Sequence, residues 1–125
     1  MSVLVDSSVW IQYLRGNGGD DRVDWLIDEG MICTNELILA ELLPPLIVRK
    51  QFKLVGLLRE IPKLPFIIDW PGIEQAQCAC IRKGVNRVGI PDLIIAQNAT
   101  QNSIPVLSYD RHFVLMAKVL EFELF

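Results

Sequence analysis

The chain has 125 residues, 51% of them hydrophobic and 22% charged, enough to bury one core and too apolar for a disordered segment. Its formal net charge of −3 argues against sequence-independent binding of nucleic acid through a basic face, but not against an acidic cluster that presents divalent cations to phosphate. No run reaches the roughly 18 apolar residues of a membrane helix, so no membrane span is expected.

A mean hydropathy of +0.33 is high for a soluble protein of this size and suggests apolar surface covered by a partner or a second copy. The start of the chain lacks a basic flank and a small-residue cleavage site, so no secretion signal is expected. Three cysteines, Cys33, Cys78 and Cys80, cannot all pair within one chain, and a reduced cytoplasmic setting follows as the expectation. Without nearby histidines, Cys78 and Cys80 do not make a zinc site. The whole of 1–125 reads as one domain, without internal repeat, low-complexity tract or linker.

Taken in order, Val3-Leu4-Val5 is a short apolar run rich in β-branched residues and predicts a buried strand. Asp6 follows it directly. Ser7 or Ser8 could cap the helix that begins at Val9-Trp10-Ile11. Arg15 to Asp21, with its glycines and Asn17, is loop. Because it follows a helix, its Gly16-Asn17-Gly18-Gly19 is a poor phosphate cradle. Asp20 or Asp21 can cap a helix from Arg22 to Glu29, ended by Gly30. Met31 to Thr34 is a short strand, and Asn35 caps a helix starting near Glu36. That helix meets Pro44-Pro45, after which Leu46 to Ile61 predicts a basic amphipathic helix carrying Arg49, Lys50, Lys53 and Arg59.

Pro65-Phe66-Ile67-Ile68 predicts a third strand. Pro71 or Gly72 opens a helix through Arg82-Lys83, ended by Gly84, and Val85 to Ile90 is loop. Asp92 opens an apolar helix through Ala99. Ser103 to Ser108 gives a loop and a fourth strand, Asp110 starts a last helix to about Val119, and Glu121 to Phe125 adds an edge strand. Strands alternating with helices argue for an α/β fold with a mostly parallel sheet.

Four acids stand out by context. Asp6 and Asp110 lie just beyond apolar strands, and Asp92 sits at a helix start. Glu41 is the only charged or hydrogen-bonding side chain between Leu37 and Val48. Parallel strands joined by helices bring strand ends and helix N-termini to one edge, where these acids can meet. Plainer readings exist for each: Asp6, Asp92 and Asp110 as helix caps, and Glu41 turned to solvent. If they converge, their mutual repulsion calls for bound cations or shifted proton affinities. Oxygen ligands without thiolate favour Mg²⁺ or Mn²⁺, ions that activate water and stabilise an in-line phosphoryl transition state. His112, the only histidine, has no evident orienting partner and reads as structural or superficial, against a triad hydrolase. Arg82, Lys83, Arg87 and Arg111 near the same edge are candidates for holding RNA phosphates, with solvated charges as the plainer reading. Trp10 could stack a base or pack in the core. The apolar Leu46 to Ile61 segment suggests a groove for a partner helix or a homodimer face.

Val5-Asp6-Ser7-Ser8-Val9-Trp10, Asn35-Glu36-Leu37 through Glu41-Leu42, Arg82-Lys83-Gly84 leading to Pro91-Asp92-Leu93-Ile94-Ile95-Ala96, and Val106 through Phe113 together resemble PIN-domain proteins, most of all the VapC-type toxins of toxin–antitoxin pairs. The resemblance spans nearly the whole chain, and its specificity lies in the ordered combination. It implies a three-layer α/β/α sandwich and metal-dependent endoribonuclease activity as the toxin of a type II pair. It also implies an acidic quartet of Asp6, Glu41, Asp92 and Asp110 holding Mg²⁺ or Mn²⁺, with Ser7 or Ser8 and Ser108 as supporting hydroxyls. A cognate antitoxin and a homodimer are the implied partners. Two departures are Ser108, where threonine is common, and Pro91 directly before Asp92. The alternatives are a non-catalytic PIN-like interaction module and a metal-dependent phosphatase. Phosphatases with an aspartyl nucleophile usually carry a second acid two residues on, where this chain has Ser8.

Overall fold

The computed structural model describes residues 2–16 and 20–125; the predicted loop over Asn17-Gly18-Gly19 lies outside them. β1 (Val3–Val5), β2 (Ile32–Cys33) and β3 (Val106–Leu107) form a parallel sheet in the order β2-β1-β3. Val3 lies opposite Ile32, Leu4 opposite both Cys33 and Val106, and Val5 opposite Leu107. A central parallel strand is covered on both faces, which is why an unbroken apolar run suits β1. All three of its residues are buried.

The pleat sends alternate side chains to opposite layers. Val3, Val5, Ile32 and Leu107 pack with Val9, Trp10, Val23, Leu26, Leu42 and Leu58. These come from α1 (Ser7–Leu14), α2 (Asp21–Asp28), α3 (Glu36–Val48) and α4 (Phe52–Arg59). Leu4, Cys33 and Val106 face the other way, against Ile95, Ala99 and Phe113 of α6 (Ile90–Gln101) and α7 (Arg111–Ala117), with α5 (Trp70–Arg82) packed beside α6. The result is an α/β/α sandwich. Among the described residues no helix is long and apolar enough to cross a membrane.

Several local expectations are met. The carboxylate of Asp20 accepts the Arg22 N–H at the start of α2, the Asn35 amide oxygen accepts the Ile38 N–H of α3, and Asp110 accepts the His112 N–H of α7. Others are not. Neither Ser7 nor Ser8 caps α1; Asp6 holds the cap position without a side-chain cap bond, because its carboxylate is engaged elsewhere. α6 begins at Ile90 with Gly89 as its cap residue, so Asp92 sits inside the first turn.

Pro44 and Pro45 do not divide the helix either: α3 runs through them to Val48. Each removes one i→i−4 donor. The deprived carbonyls belong to Ala40 and Glu41, which like both prolines lie on the exposed side, where water replaces the missing bonds. The break comes at Lys50, whose φ of 58° closes α3 with bonds from Lys50 N–H to Ile47 and from Gln51 N–H to Leu46.

The third predicted strand, Pro65 to Ile68, is not one. Thr34 makes a lone bridge with Lys63, and α6 side chains then take over the backbone of this segment. The Asn98 amide donates to the Pro65 carbonyl at 2.8 Å and the Gln101 amide to the Ile67 carbonyl at 2.9 Å, while Gln97 bonds the N–H and C=O of Asp69. A proline cannot donate to a sheet ladder, and helix amides satisfy the chain instead. Glu121 to Phe125 likewise contributes a single bridge, Val106 to Leu124, in place of an edge strand.

The Thr34 hydroxyl is buried and has no partner among the described residues. A buried, unmade hydrogen bond costs about 1–3 kcal/mol. Thr34→Val, nearly isosteric, is therefore expected to raise stability by about 1 kcal/mol in urea unfolding; a loss of stability would show that the hydroxyl has a partner.

Candidate metal centre

The carboxyl end of β1 and the N-terminal turns of α1, α6 and α7 meet at one edge of the sheet, as parallel topology requires. Asp6 is buried there. Its Oδ2 accepts from the Ser8 hydroxyl at 2.8 Å and from the Ser108 hydroxyl at 2.9 Å. Those hydroxyl oxygens in turn accept the N–H of Tyr109 and the N–H of Asp110, each at 3.1 Å. Each hydroxyl has one proton, and both protons point at Asp6. The 3.3 Å approach of Ser8 Oγ to Ser108 Oγ is then a contact without a proton of its own. Two residues nearly the full chain apart thus join β1 to the loop after β3 through one carboxylate oxygen.

Asp92, Asp110 and His112 each offer a ligand atom within 4.8 Å of the others. Asp110 Oδ1 accepts the His112 N–H at 2.9 Å and lies 3.3 Å from the His112 Nδ1. Burial, then the charges of Asp110 and Asp6, push the Asp92 carboxyl up to about 6; His112 and the Gly89 N–H act in the opposite direction. Glu41 is exposed on α3 yet close enough to be affected. Partial desolvation, then Asp6 and Asp92, raise its proton affinity, against a hydrogen bond from Ser7. The four acids singled out in the sequence are therefore brought within electrostatic reach of one another. Among the described residues no Lys or Arg side chain forms an ion pair with any of them. Carboxylates crowded without a compensating Lys or Arg among the described residues fit a divalent ion, and their oxygen donors match Mg²⁺ or Mn²⁺.

The cations are less uniform. Arg111 is the first residue of α7, between Asp110 and His112, and Arg87 lies two residues before the Gly89 cap of α6; both are exposed. Arg87 holds a φ of 67°, unusual for a side chain with a Cβ. Arg82 instead lines a surface hollow with Pro71, Glu74, Gln75 and Cys78, and that hollow contains none of the four acids. Trp10 is buried and meets Tyr13 edge-to-face at 6.0 Å, which leaves no ring face for a base. His112 is the residue that the sequence undervalued. The signal was its spacing, two positions after a cap acid, which turns its imidazole back toward that acid.

A model of the PIN domain family matches residues 3–119. No curated protein gives a significant sequence match. Among solved structures, the chain is similar to DNA-bound VapBC from Salmonella typhimurium, with a TM-score of 0.76 and 16% identity over 100% of this chain and 97% of that one. It is similar to VapBC2 from Rickettsia felis bound to a DNA fragment from their promoter, at 0.78 and 16% over 100% and 98%. A third is VapBC-5 from Mycobacterium tuberculosis, a member of the VapBC family of toxin–antitoxin systems, at 0.69 and 19% over 99% and 98%. At these identities the likeness is one of fold.

Proposed function

Because the chain belongs to the PIN domain family, we propose that it is a metal-dependent endoribonuclease, the toxin of a type II toxin–antitoxin pair, acting in the cytoplasm. The observation that carries this reading is the set of converging acids with, among the described residues, no Lys or Arg paired to any of them. Asp6, Asp92, Asp110 and Glu41 would hold Mg²⁺ or Mn²⁺, and His112 joins them as a candidate ligand. The ion supplies Lewis acidity toward the phosphate and toward water. Ser8 and Ser108 hold the Asp6 carboxylate in one orientation through Oδ2, a supporting role that preserves ligand geometry. Glu41, exposed and with raised proton affinity, is suited to take a proton from the attacking water at its carboxylate oxygen. Arg87 and Arg111 would neutralise phosphates on either side of the scissile bond.

The toxin–antitoxin assignment draws on the VapBC neighbours, and the partner is an antitoxin protein. Ile47, Val48, Phe52 and Leu57 leave an apolar, exposed stretch along α3 and α4 of the kind a partner helix or a second copy covers. Free thiols at Cys33, Cys78 and Cys80 suit a reducing compartment.

The test is cleavage of RNA by the purified protein with Mg²⁺ or Mn²⁺, repeated after chelation and with Asp6→Asn. Cleavage is expected only with metal and only with Asp6. Activity surviving both chelation and Asp6→Asn overturns the reading. Failure to bind Mn²⁺ in calorimetry favours a non-catalytic module, and hydrolysis of a small phosphoester without RNA cleavage favours a phosphatase.

A further inference from the structure

We propose that Tyr109, Asp20 and Arg22 form a positioning clamp that holds the β3–α7 loop, and with it Ser108 and Asp110, at the acidic centre; the inference rests on the reading of that centre as a cation site. Tyr109 lies between Ser108 and Asp110 and is tied at both ends. Its N–H donates to Ser8 Oγ at 3.1 Å, and its hydroxyl donates to Asp20 Oδ2. Tyr109 is 37% exposed, so packing alone does not fix it and the hydroxyl bond matters.

Asp20 is itself held in a fork. Arg22 Nε and Nη2 reach its two oxygens, each at 2.9 Å, and the Arg22 N–H adds a third bond at 3.0 Å. A planar guanidinium matched to a carboxylate in this way restricts both partners. The remaining arm, Nη1, donates to the Phe125 main-chain oxygen at 3.1 Å. Phe125 returns to the sheet, its N–H donating to the Val106 carbonyl at 2.9 Å. The path from Val106 in β3 through Tyr109, Asp20, Arg22 and Phe125 back to Val106 is closed. It braces the loop on one side while Ser8 and Asp6 hold it on the other. Residues that orient metal ligands from behind change affinity without touching the ion.

The test uses the full chain with Tyr109→Phe, and Tyr13→Phe as the matched control. Tyr13 donates to Asp24 at 2.7 Å, an equivalent phenol–carboxylate bond between α1 and α2 that does not reach the site loop. Tyr109→Phe is expected to weaken Mn²⁺ binding by about tenfold in calorimetry and to speed amide exchange at Tyr109 and Asp110. Tyr13→Phe is expected to leave both unchanged. Unchanged exchange at Tyr109 and Asp110 in Tyr109→Phe overturns the clamp, as does an equal loss of Mn²⁺ affinity in both variants. If the unmodified protein binds no Mn²⁺, the cation-site reading fails by itself, and the exchange comparison still decides whether the clamp holds the loop.

Discussion

Replacing Asp92 by Asn should stabilise the metal-free protein and abolish the proposed RNA cleavage. The sign follows from proton binding. Burial and the neighbouring carboxylates push the Asp92 carboxyl from its ordinary 3.8 up to about 6, so between about pH 4 and pH 6 the folded state holds more proton than the unfolded one. Its contribution to stability is greatest below that window and is lost as pH rises through it. That rise corresponds to at most ~3 kcal/mol, and solvent access to the half-buried carboxyl reduces this to about 1–2 kcal/mol. Asn carries no charge to desolvate or repel. In urea unfolding with a chelator at pH 7.5, Asp92→Asn is therefore expected to exceed the unmodified chain by about 1–2 kcal/mol, and the difference should vanish toward pH 4. With Mn²⁺ at about 100 times its dissociation constant, the unmodified chain gains ~2.7 kcal/mol, and the variant gains little. RNA cleavage should fall at least ~100-fold, since Lewis-acid charge stabilisation is worth several kcal/mol. A variant less stable than the parent at pH 7.5 in chelator would mean that the acids do not repel one another in the folded chain.

Phe113→Ala should come close to unfolding the protein. Phe113 is buried in α7, packs with Leu4, Ile95, Ala99 and Val106, and meets Phe122 edge-to-face at 6.2 Å. Truncating a buried phenylalanine costs about 3–5 kcal/mol, a large share of the roughly 5–15 kcal/mol that holds a domain together. α7 has seven residues, too few to persist without packing, and it carries Asp110 at its cap and His112 in its first turn. The urea midpoint should drop accordingly, and Mn²⁺ binding should be lost under conditions where the parent binds. Phe122→Leu, which keeps most of the apolar volume at a partly exposed position, should cost about 1 kcal/mol. Similar midpoints for the two variants would place the weight of this layer elsewhere than on Phe113.

Both effects depend on groups whose roles were unequally visible in the sequence. Local rules reach about one helical turn, and within that range much of the reading held, although neither Ser7 nor Ser8 caps α1 and α6 opens at Ile90, ahead of Asp92. An unbroken apolar triplet with two β-branched valines made β1, Asn35 capped α3, and acids placed just past apolar runs marked the strand ends. The proline rule failed at Pro44-Pro45, and the apolar-run rule at Pro65 to Ile68, because both describe the backbone without its surroundings. At Pro44-Pro45 solvent took the place of the lost donors, and at Pro65 to Ile68 the amides of Gln97, Asn98 and Gln101 took the place of a neighbouring strand. Arg82 lines a surface hollow with Pro71, Glu74, Gln75 and Cys78, a placement that a linear chain does not show, since nothing in it says which way the end of α5 turns.

Sequence by itself determined the α/β class and singled out four acids that could converge, because hydrophobic period and the context of each acid are written in adjacent residues. Tertiary structure alone decided how those acids are held. The bonds of Ser8 and Ser108 to one oxygen of Asp6, the approach of His112 to Asp92, and the brace from Tyr109 through Asp20 and Arg22 to Phe125 join positions that only the β2-β1-β3 order brings together. Proton direction and carboxylate repulsion act over a few ångströms of space, whatever the separation along the chain.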